Sequence, residues 1–211
     1  MGIHFAPHTL SGKNVCPSAS KGCSHACLYN AGYGSYPFVQ RARIKKTQLF
    51  HADKKLFMQN LIKEVETAIR RTKKNGLTPC FRLNLTSDIA WETIKIDGKN
   101  IMQMFPDVHF YDYGKNLKRM MNFLLGKMPK NYHLTFSRSE SNQNACDIVM
   151  GMGGNVAMVF KDKLPEEYNG KKIVDGDQHD LRFLDPNGVI IGLVAKGKNG
   201  KSDKSGFVIE L

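Results

Sequence analysis

The sequence predicts an α/β fold: a parallel sheet with crossover helices, barrel-like but partial, preceded by a cysteine-rich N-terminal loop. Three observations lead there. From residue 79 to 211, short apolar segments alternate with amphipathic helical ones, as strand–helix–strand units do. The first three strand segments, Phe81–Thr86, Val108–Tyr113 and Tyr132–Ser137, alternate apolar and polar side chains, so one sheet face meets helices and the other meets something polar. Residues 1–37, by contrast, are rich in Gly, Ser, Pro, Cys and Tyr and follow neither period.

Taken in order, the chain reads as one domain over 1–211. It comprises a cysteine-rich loop (1–37), a pair of basic helices (38–76) and a sheet region (79–211). An ordered loop as long as the first segment is uncommon unless it is functional. The first helix is expected from Phe38 to about His51. The second starts at Asp53 as N-cap, repeats apolar residues at Phe57, Leu61, Val65 and Ile69, and stops at Asn75-Gly76. Strands are expected at Phe81–Thr86, Val108–Tyr113, Tyr132–Ser137, Asn155–Phe160 and Val189–Ala195. Helical segments fall at Asn100–Phe105, Asn116–Gly126 and Ser141–Met150. This is fewer units than a closed barrel needs. Phe81, Leu83 and Leu85 oppose Arg82, Asn84 and Thr86, and Leu134 and Phe136 oppose His133, Thr135 and Ser137. The polar faces suit a cavity, with chemistry at the C-terminal strand ends near Asp88, Asp112, Ser137 and Arg138. Trp91 is expected to wall it.

With 211 residues and 41% hydrophobic content, the chain can bury a sizeable core. No run approaches the roughly 18 apolar residues of a membrane span. The start, MGIHFAPHTLSGKN, lacks the pattern of a secretion signal, so a cytoplasmic protein without membrane partners is expected. The net charge is +12. Eleven Lys or Arg lie between Arg41 and Gly76 against Asp53, Glu64 and Glu66, and Lys196 through Lys204 form a second basic cluster. Such a surface draws polyanions, nucleic acid included, or simply solvates a helix face.

Five cysteines are present, three of them between Cys16 and Cys27. A disulfide framework wants an even, dispersed set in a secreted chain, so metal is the expected use. The motif is C-x6-C-x3-C over Cys16, Cys23 and Cys27. Zinc sites pair C-x2-4-C units with a second ligand pair, which is absent here. Three soft thiolates on a short turn suit a [4Fe–4S] cluster, with zinc as the alternative cofactor. Cys80 opens a strand at the end away from the expected site, and Cys146 sits inside a helix. A fourth ligand then comes from His8, His25 or a carboxylate, or one iron stays open.

NVCPSASKGCSHACLYNAG, RARIKKT, FRLNLTSDIAWE, YHLTFSRSES, GNVAMVF and IVDGDQHDLRFLDPNGVIIGLVAKGK resemble segments of the phage "gene product 88" family. Members of that family carry a CPGA-like start and a C-x6-C-x3-C loop followed by Tyr. The resemblance runs from about Asn14 to Lys198. It implies a phage or prophage origin and a role in the host-cell cytoplasm, and no particular reaction. A cysteine loop feeding a partial α/β barrel is also similar in outline to radical-SAM enzymes, whose C-x3-C-x2-C spacing this sequence lacks.

The stretch Asp175-Gly-Asp177-Gln-His179-Asp180-Leu-Arg182-Phe-Leu-Asp185 is dense in titratable groups. Two uses stand open: acid–base or metal chemistry, or a Gly turn with capping carboxylates and an Asp180–Arg182 surface pair. It is not an EF-hand. Ser137-Arg138 lies outside any G-x-S-x-G elbow. The function these residues suggest is a cluster-dependent hydrolase or lyase for a small polar substrate, such as an ester. Asp88, Tyr113, Ser137 and Arg138 would position the substrate and His179 would carry a proton. The alternatives are a nucleic-acid-binding protein with a structural cluster or zinc, and a radical-SAM-like or redox-sensing protein.

Overall fold

The computed structural model describes residues 1–211, and its centre is an open sheet of eight strands. The strands are β1 (Cys80–Phe81), β2 (His109–Gly114), β3 (Tyr132–Ser137), β4 (Val156–Phe160), β5 (Glu167–Tyr168), β6 (Lys171–Asp175), β7 (Ile190–Val194) and β8 (Val208–Ile209). Their order is β1-β2-β3-β4-β7-β6-β5, with β8 also pairing β4. All pairs are parallel except the β5–β6 hairpin. The fold class is therefore as the alternation predicts, and the sheet does not close into a barrel. Because β3 pairs with the start of β4 (Phe136↔Val156) and β8 with its end (Val159↔Val208), β8 prolongs the line that β3 leaves.

Seven helices accompany the sheet: α1 (Lys21–His25), α2 (Pro37–Ala52), α3 (Lys54–Lys74), α4 (Ile101–Met104), α5 (Leu117–Leu124), α6 (Gln143–Gly151) and α7 (Gly197–Lys201). None is long and apolar enough to cross a membrane. Asp53 caps α3 as its sequence suggests, accepting from the Leu56 N–H at 2.9 Å. Phe110, Leu134, Phe136, Val156, Met158, Phe160 and Ile190 of the sheet join Met120, Cys146 and Val149 of the helices in one apolar core. That core extends to α3 through Phe57, Leu61 and Val65. Trp91 is fully buried there, stacked with Phe5 and Phe57, so it is a core residue and not a cavity wall. Its Nε1–H donates to Asn84 Oδ1 at 3.1 Å.

The second sheet face is covered differently. Its residues are Tyr111, Tyr113, His133, Thr135, Ser137, Ala157 and Ile191, by the two-residue strand period. A single turn at Arg182–Leu184 covers the early part of this face. Phe183 stacks on His109 at 4.7 Å and meets Tyr111 edge-on at 5.5 Å. Arg182 is wholly buried and pairs with Asp185 at 3.2 Å, whereas Asp180 pairs with Arg82 at 2.7 Å. The expected Asp180–Arg182 pair does not form. A buried guanidinium needs a carboxylate as buried as itself, and Asp185 supplies it. The later half of the face stays open.

Several strand ends depart from the sequence reading. The segment expected as a strand from Phe81 to Thr86 pairs with β2 only at Cys80 and Phe81. Beyond them it turns to the N-terminus: the Ile3 N–H donates to Arg82 O, the Leu85 N–H to Ile3 O, and Thr86 Oγ1 to Phe5 O. Residues 1–37 hold three short helical turns, at Lys21–His25, Leu28–Asn30 and Gly32–Ser35, where an irregular loop is expected.

Asp112, a strand-end candidate, faces the helices. It is fully buried and accepts from the Asn84 N–H at 2.7 Å and the Tyr132 hydroxyl at 2.9 Å. Burial pushes its carboxyl up from 3.8 to about 7, against the pull of Arg119. Burial and Arg182 push His133 the other way, from 6.5 down to about 4. The two act on stability with opposite signs. Asp112 binds its proton more tightly when folded, so its contribution is full below pH 3.8 and is lost as pH rises through about 7. His133 resists its proton when folded, so its contribution is full above pH 6.5 and is lost as pH falls through about 4. Between those limits the slopes oppose. Asp112→Asn removes one of them, so urea denaturation of that variant will show stability rising with pH more steeply than in the wild type. The added slope approaches about 1.4 kcal/mol per pH unit. Equal slopes in the two proteins would mean that Asp112 is ionised throughout.

Candidate functional site

The open half of the second face forms a cavity of about 490 Å³, within the range of small-molecule sites. It lies at the C-terminal strand ends, where open α/β sheets bind ligands. Cys16, Cys23 and Cys27 all line it, together with Asp88, Tyr113, Ser137 and His179. Seven of the eight residues that the sequence singles out for the site are therefore brought together.

The cysteine turn is built locally and then pinned. The Cys16 N–H donates to Asn14 Oδ1 at 2.8 Å, and the Asp88 N–H to Val15 O at 2.8 Å, which ties the first cysteine to the loop after β1. Ser20 caps α1 by accepting from the Cys23 N–H at 3.1 Å. Cys23 lies inside α1, Cys27 follows its C-cap in extended backbone and opens the next turn, and both line the cavity. Glu140 anchors the turn from the end of β3, taking Ser20 Oγ–H at 2.6 Å and the Gly22 N–H at 2.8 Å. Burial acts against that carboxylate, yet these hydrogen bonds hold Glu140 below its usual range. Gly22 is required by contact: a Cβ there would lie 2.1 Å from Ser205 Oγ and 2.5 Å from Phe207 Cβ.

Burial pushes the Cys16 thiol up to about 12, and Cys27, Cys23 and Asp88 add to the rise. Burial also raises Cys27, while Arg43 and Lys115 favour its thiolate. Cys16 and Cys27 thus sit where a free thiolate is costly, and both feel the neighbouring Cys23. A cationic core that takes all three would displace their protons. No three His, Cys, Asp or Glu side chains converge on a point where they could hold one ion. In an iron–sulfur cubane each thiolate takes a separate iron, so the ligands surround a core instead of converging. The donor set fits such a group in two further respects. Arg43 is 8% exposed, its Nη1 has no hydrogen-bond partner, and it faces Cys27. An anionic cluster would supply what that buried donor lacks. Neither Cys80 nor Cys146 lines the cavity, and neither does His8 or His25. A cubane held by Cys16, Cys23 and Cys27 alone would have one iron without a thiolate.

The polar groups opposite are held by second partners. Asp88 Oδ1 accepts from Arg119 Nη1 at 3.2 Å and its Oδ2 from the Lys115 N–H at 3.4 Å. Arg119 is itself gripped by Glu92, through Nε at 2.7 Å and Nη2 at 3.0 Å. The Arg82 guanidinium lies over the Tyr113 ring at 4.4 Å. Burial, with Arg82 acting against it, raises the Tyr113 phenol. His179 sits exposed at the mouth, with Nδ1 3.3 Å from Arg182 Nη2. Arginine only donates, so Nδ1 accepts and Nε2 carries the proton in the neutral ring.

Arg138 is the residue the structure sets apart. Its side chain leaves the strand end to donate to Gly206 O at 2.8 Å and Phe207 O at 3.2 Å, so it anchors the β8 segment. Sequence reasoning missed Lys115, which directly follows β2. Its Nζ donates to Ser137 Oγ at 2.5 Å. Of the three cations lining the cavity, Arg82 pairs with Asp180 and Lys196 with Asp177, while Lys115 has no carboxylate partner. The aspartates at 175, 177, 180 and 185 mostly brace the covering loop: Asp175 accepts from the Asp177 N–H at 2.9 Å, and Asp177 takes the Val194 N–H at 2.9 Å.

Comparison with known proteins gives one match: a family model described as Gene product 88 matches residues 2–211. No curated protein and no solved structure matches the chain.

Proposed function

The chain belongs to the gene product 88 family, and on that premise we propose that it is an iron–sulfur protein whose cavity hydrolyses or cleaves a small polar substrate. Cys16, Cys23 and Cys27 would hold a [4Fe–4S] cluster. One observation carries the reading: three thiols from one N-terminal segment line the same cavity as Asp88, Tyr113, Ser137 and His179. When bound, the cluster supplies a Lewis-acidic iron with a free position.

The chain's own residues divide the remaining work. Lys115 Nζ and Ser137 Oγ, already in contact, offer two donors to an oxygen that gains negative charge. Asp88 is fixed on one side by Arg119 and orients a polar hydrogen of the substrate on the other. Tyr113, clamped under Arg82, forms a flat wall. His179 stands at the mouth with Nε2 free to pass a proton to solvent. The apolar lining from Ala26, Leu28, Val159 and Phe207 keeps the interior low in water, which strengthens these contacts.

Anaerobically reconstituted protein assayed with short-chain esters tests this reading. Turnover will require iron, and Lys115→Ala or Ser137→Ala will lower it about 100-fold with an unchanged visible spectrum. Equal turnover by metal-free protein would refute it.

A further inference from the structure

Beside the cysteine turn, the surface carries three aromatic rings that the proposed chemistry does not use. Tyr33, Tyr36 and Phe38 are 81%, 47% and 64% exposed. Tyr33 and Tyr36 meet edge-on at 5.7 Å, and Tyr36 and Phe38 lie within 12° of parallel at 5.8 Å. Single exposed apolar residues are ordinary, but three large rings in mutual contact mark an interaction surface. The ladder is rigidly mounted. Pro37 fixes the entry into α2, and the Arg43 guanidinium of α2 lies over the Tyr29 ring of the preceding turn at 5.5 Å.

Charge surrounds the ladder on two sides. Helix α2 continues from it with Arg41, Lys45 and Lys46 exposed and no acidic residue along its length. Helix α7 packs against the loop that leads into it: Asn199 Nδ2 donates to His25 O at 3.2 Å, and Gly197 lies against Ala31. This brings Lys198 and Lys201, both exposed and neither in an ion pair, to the same loop. The two basic clusters, far apart in sequence, thus flank the loop that carries the aromatic rings, α7 at its start and α2 at its end.

The geometry points to a binding surface for single-stranded nucleic acid, with bases stacked on Tyr33, Tyr36 and Phe38 and phosphates running along α2 and α7. Aromatic faces beside a positive track are what unpaired strands bind. A duplex hides its bases in their own stack, and so would use the lysines but not the rings. The net charge of +12 favours the same class of partner.

The test is fluorescence anisotropy of the full chain with a labelled oligothymidylate of about 15 nucleotides and with a duplex of the same length. The single strand is expected to bind more tightly. Tyr36→Ala and Phe38→Ala are each expected to weaken it about tenfold without changing its salt dependence, and Phe38→Trp to retain it. Lys198→Gln is expected to flatten the salt dependence by about 0.7 in the log–log slope. Both ring positions are exposed, and unchanged circular dichroism will show that the variants fold. The inference fails if duplex binds as tightly and the ring variants bind normally, since the contact is then charge alone. It also fails if a polyglutamate peptide competes as well as the oligonucleotide. It fails again if the ring variants change only the protein's oligomeric state, or if nothing binds at about 100 mM salt.

Discussion

Cys16→Ala, Cys23→Ala and Cys27→Ala will each abolish the visible absorption of anaerobically prepared protein, while Cys146→Ala and Cys80→Ala will leave it intact. The first three side chains line the cavity and sense one another's charge. Losing any one leaves the remaining thiolates too few to retain the cationic core against solvent. Cys146 is fully buried on the helix-facing side and packs as a small apolar residue, with Sγ 3.6 Å from Asn142 Oδ1. Its removal costs stability, about 1 kcal/mol for a small cavity, and no colour. Cys80 opens β1, at the sheet end opposite the cavity. Bleaching by Cys80→Ala would show that it is a ligand and would remove the open iron position.

A second large effect is expected at a residue that offers no ligand of its own. Gly22→Ala will strip most of the iron from the protein while the sheet stays folded. The added Cβ would meet Ser205 Oγ at 2.1 Å, Phe207 Cβ at 2.5 Å and Glu140 Oε2 at 2.9 Å. Phe207 is buried and leads into β8, so it cannot retreat. The turn must lift instead, which carries Cys23 and Cys27 away from Cys16. Overpacking of this kind costs about 1–3 kcal/mol, locally affordable for the fold. Iron analysis beside circular dichroism separates the two effects. Full iron content in Gly22→Ala would mean that the docking of the turn does not position the thiols.

Much of this architecture is legible in the sequence. β2 and β3 announce themselves by alternation, β4 and β7 by apolar runs of strand length, and α3 by its four-residue apolar repeat and its Asp53 cap. The short strands are hidden for physical reasons. β8 is buried but has two residues, too few to show a period, and β6, Lys-Lys-Ile-Val-Asp, stands half-exposed between β5 and β7 with no buried face to read. β1 ends early because its later N–H and C=O groups are taken by the N-terminal segment, a pairing across about 80 residues that no local pattern records.

The candidate site was readable where chemistry clusters along the chain and hidden where folding supplies it. The thiols declare themselves by spacing. Arg138 misleads because strand polarity gives its place but not the turn of its side chain toward Gly206 and Phe207. Arg43 is one basic residue among many on α2. Its signal is that it shares the buried stripe with Thr47 and Phe50, at helical spacing. Lys115 gives no local signal, since its lack of a carboxylate partner depends on where Arg119 takes Asp88.

The measurement that bears most directly on the central claim is iron, acid-labile sulfide and zinc analysis of anaerobically purified wild-type protein, read with its visible spectrum. The account predicts brown protein with about four irons and four sulfides per chain and negligible zinc. Colourless protein carrying one zinc, or no metal at all in a fully folded chain, would contradict it.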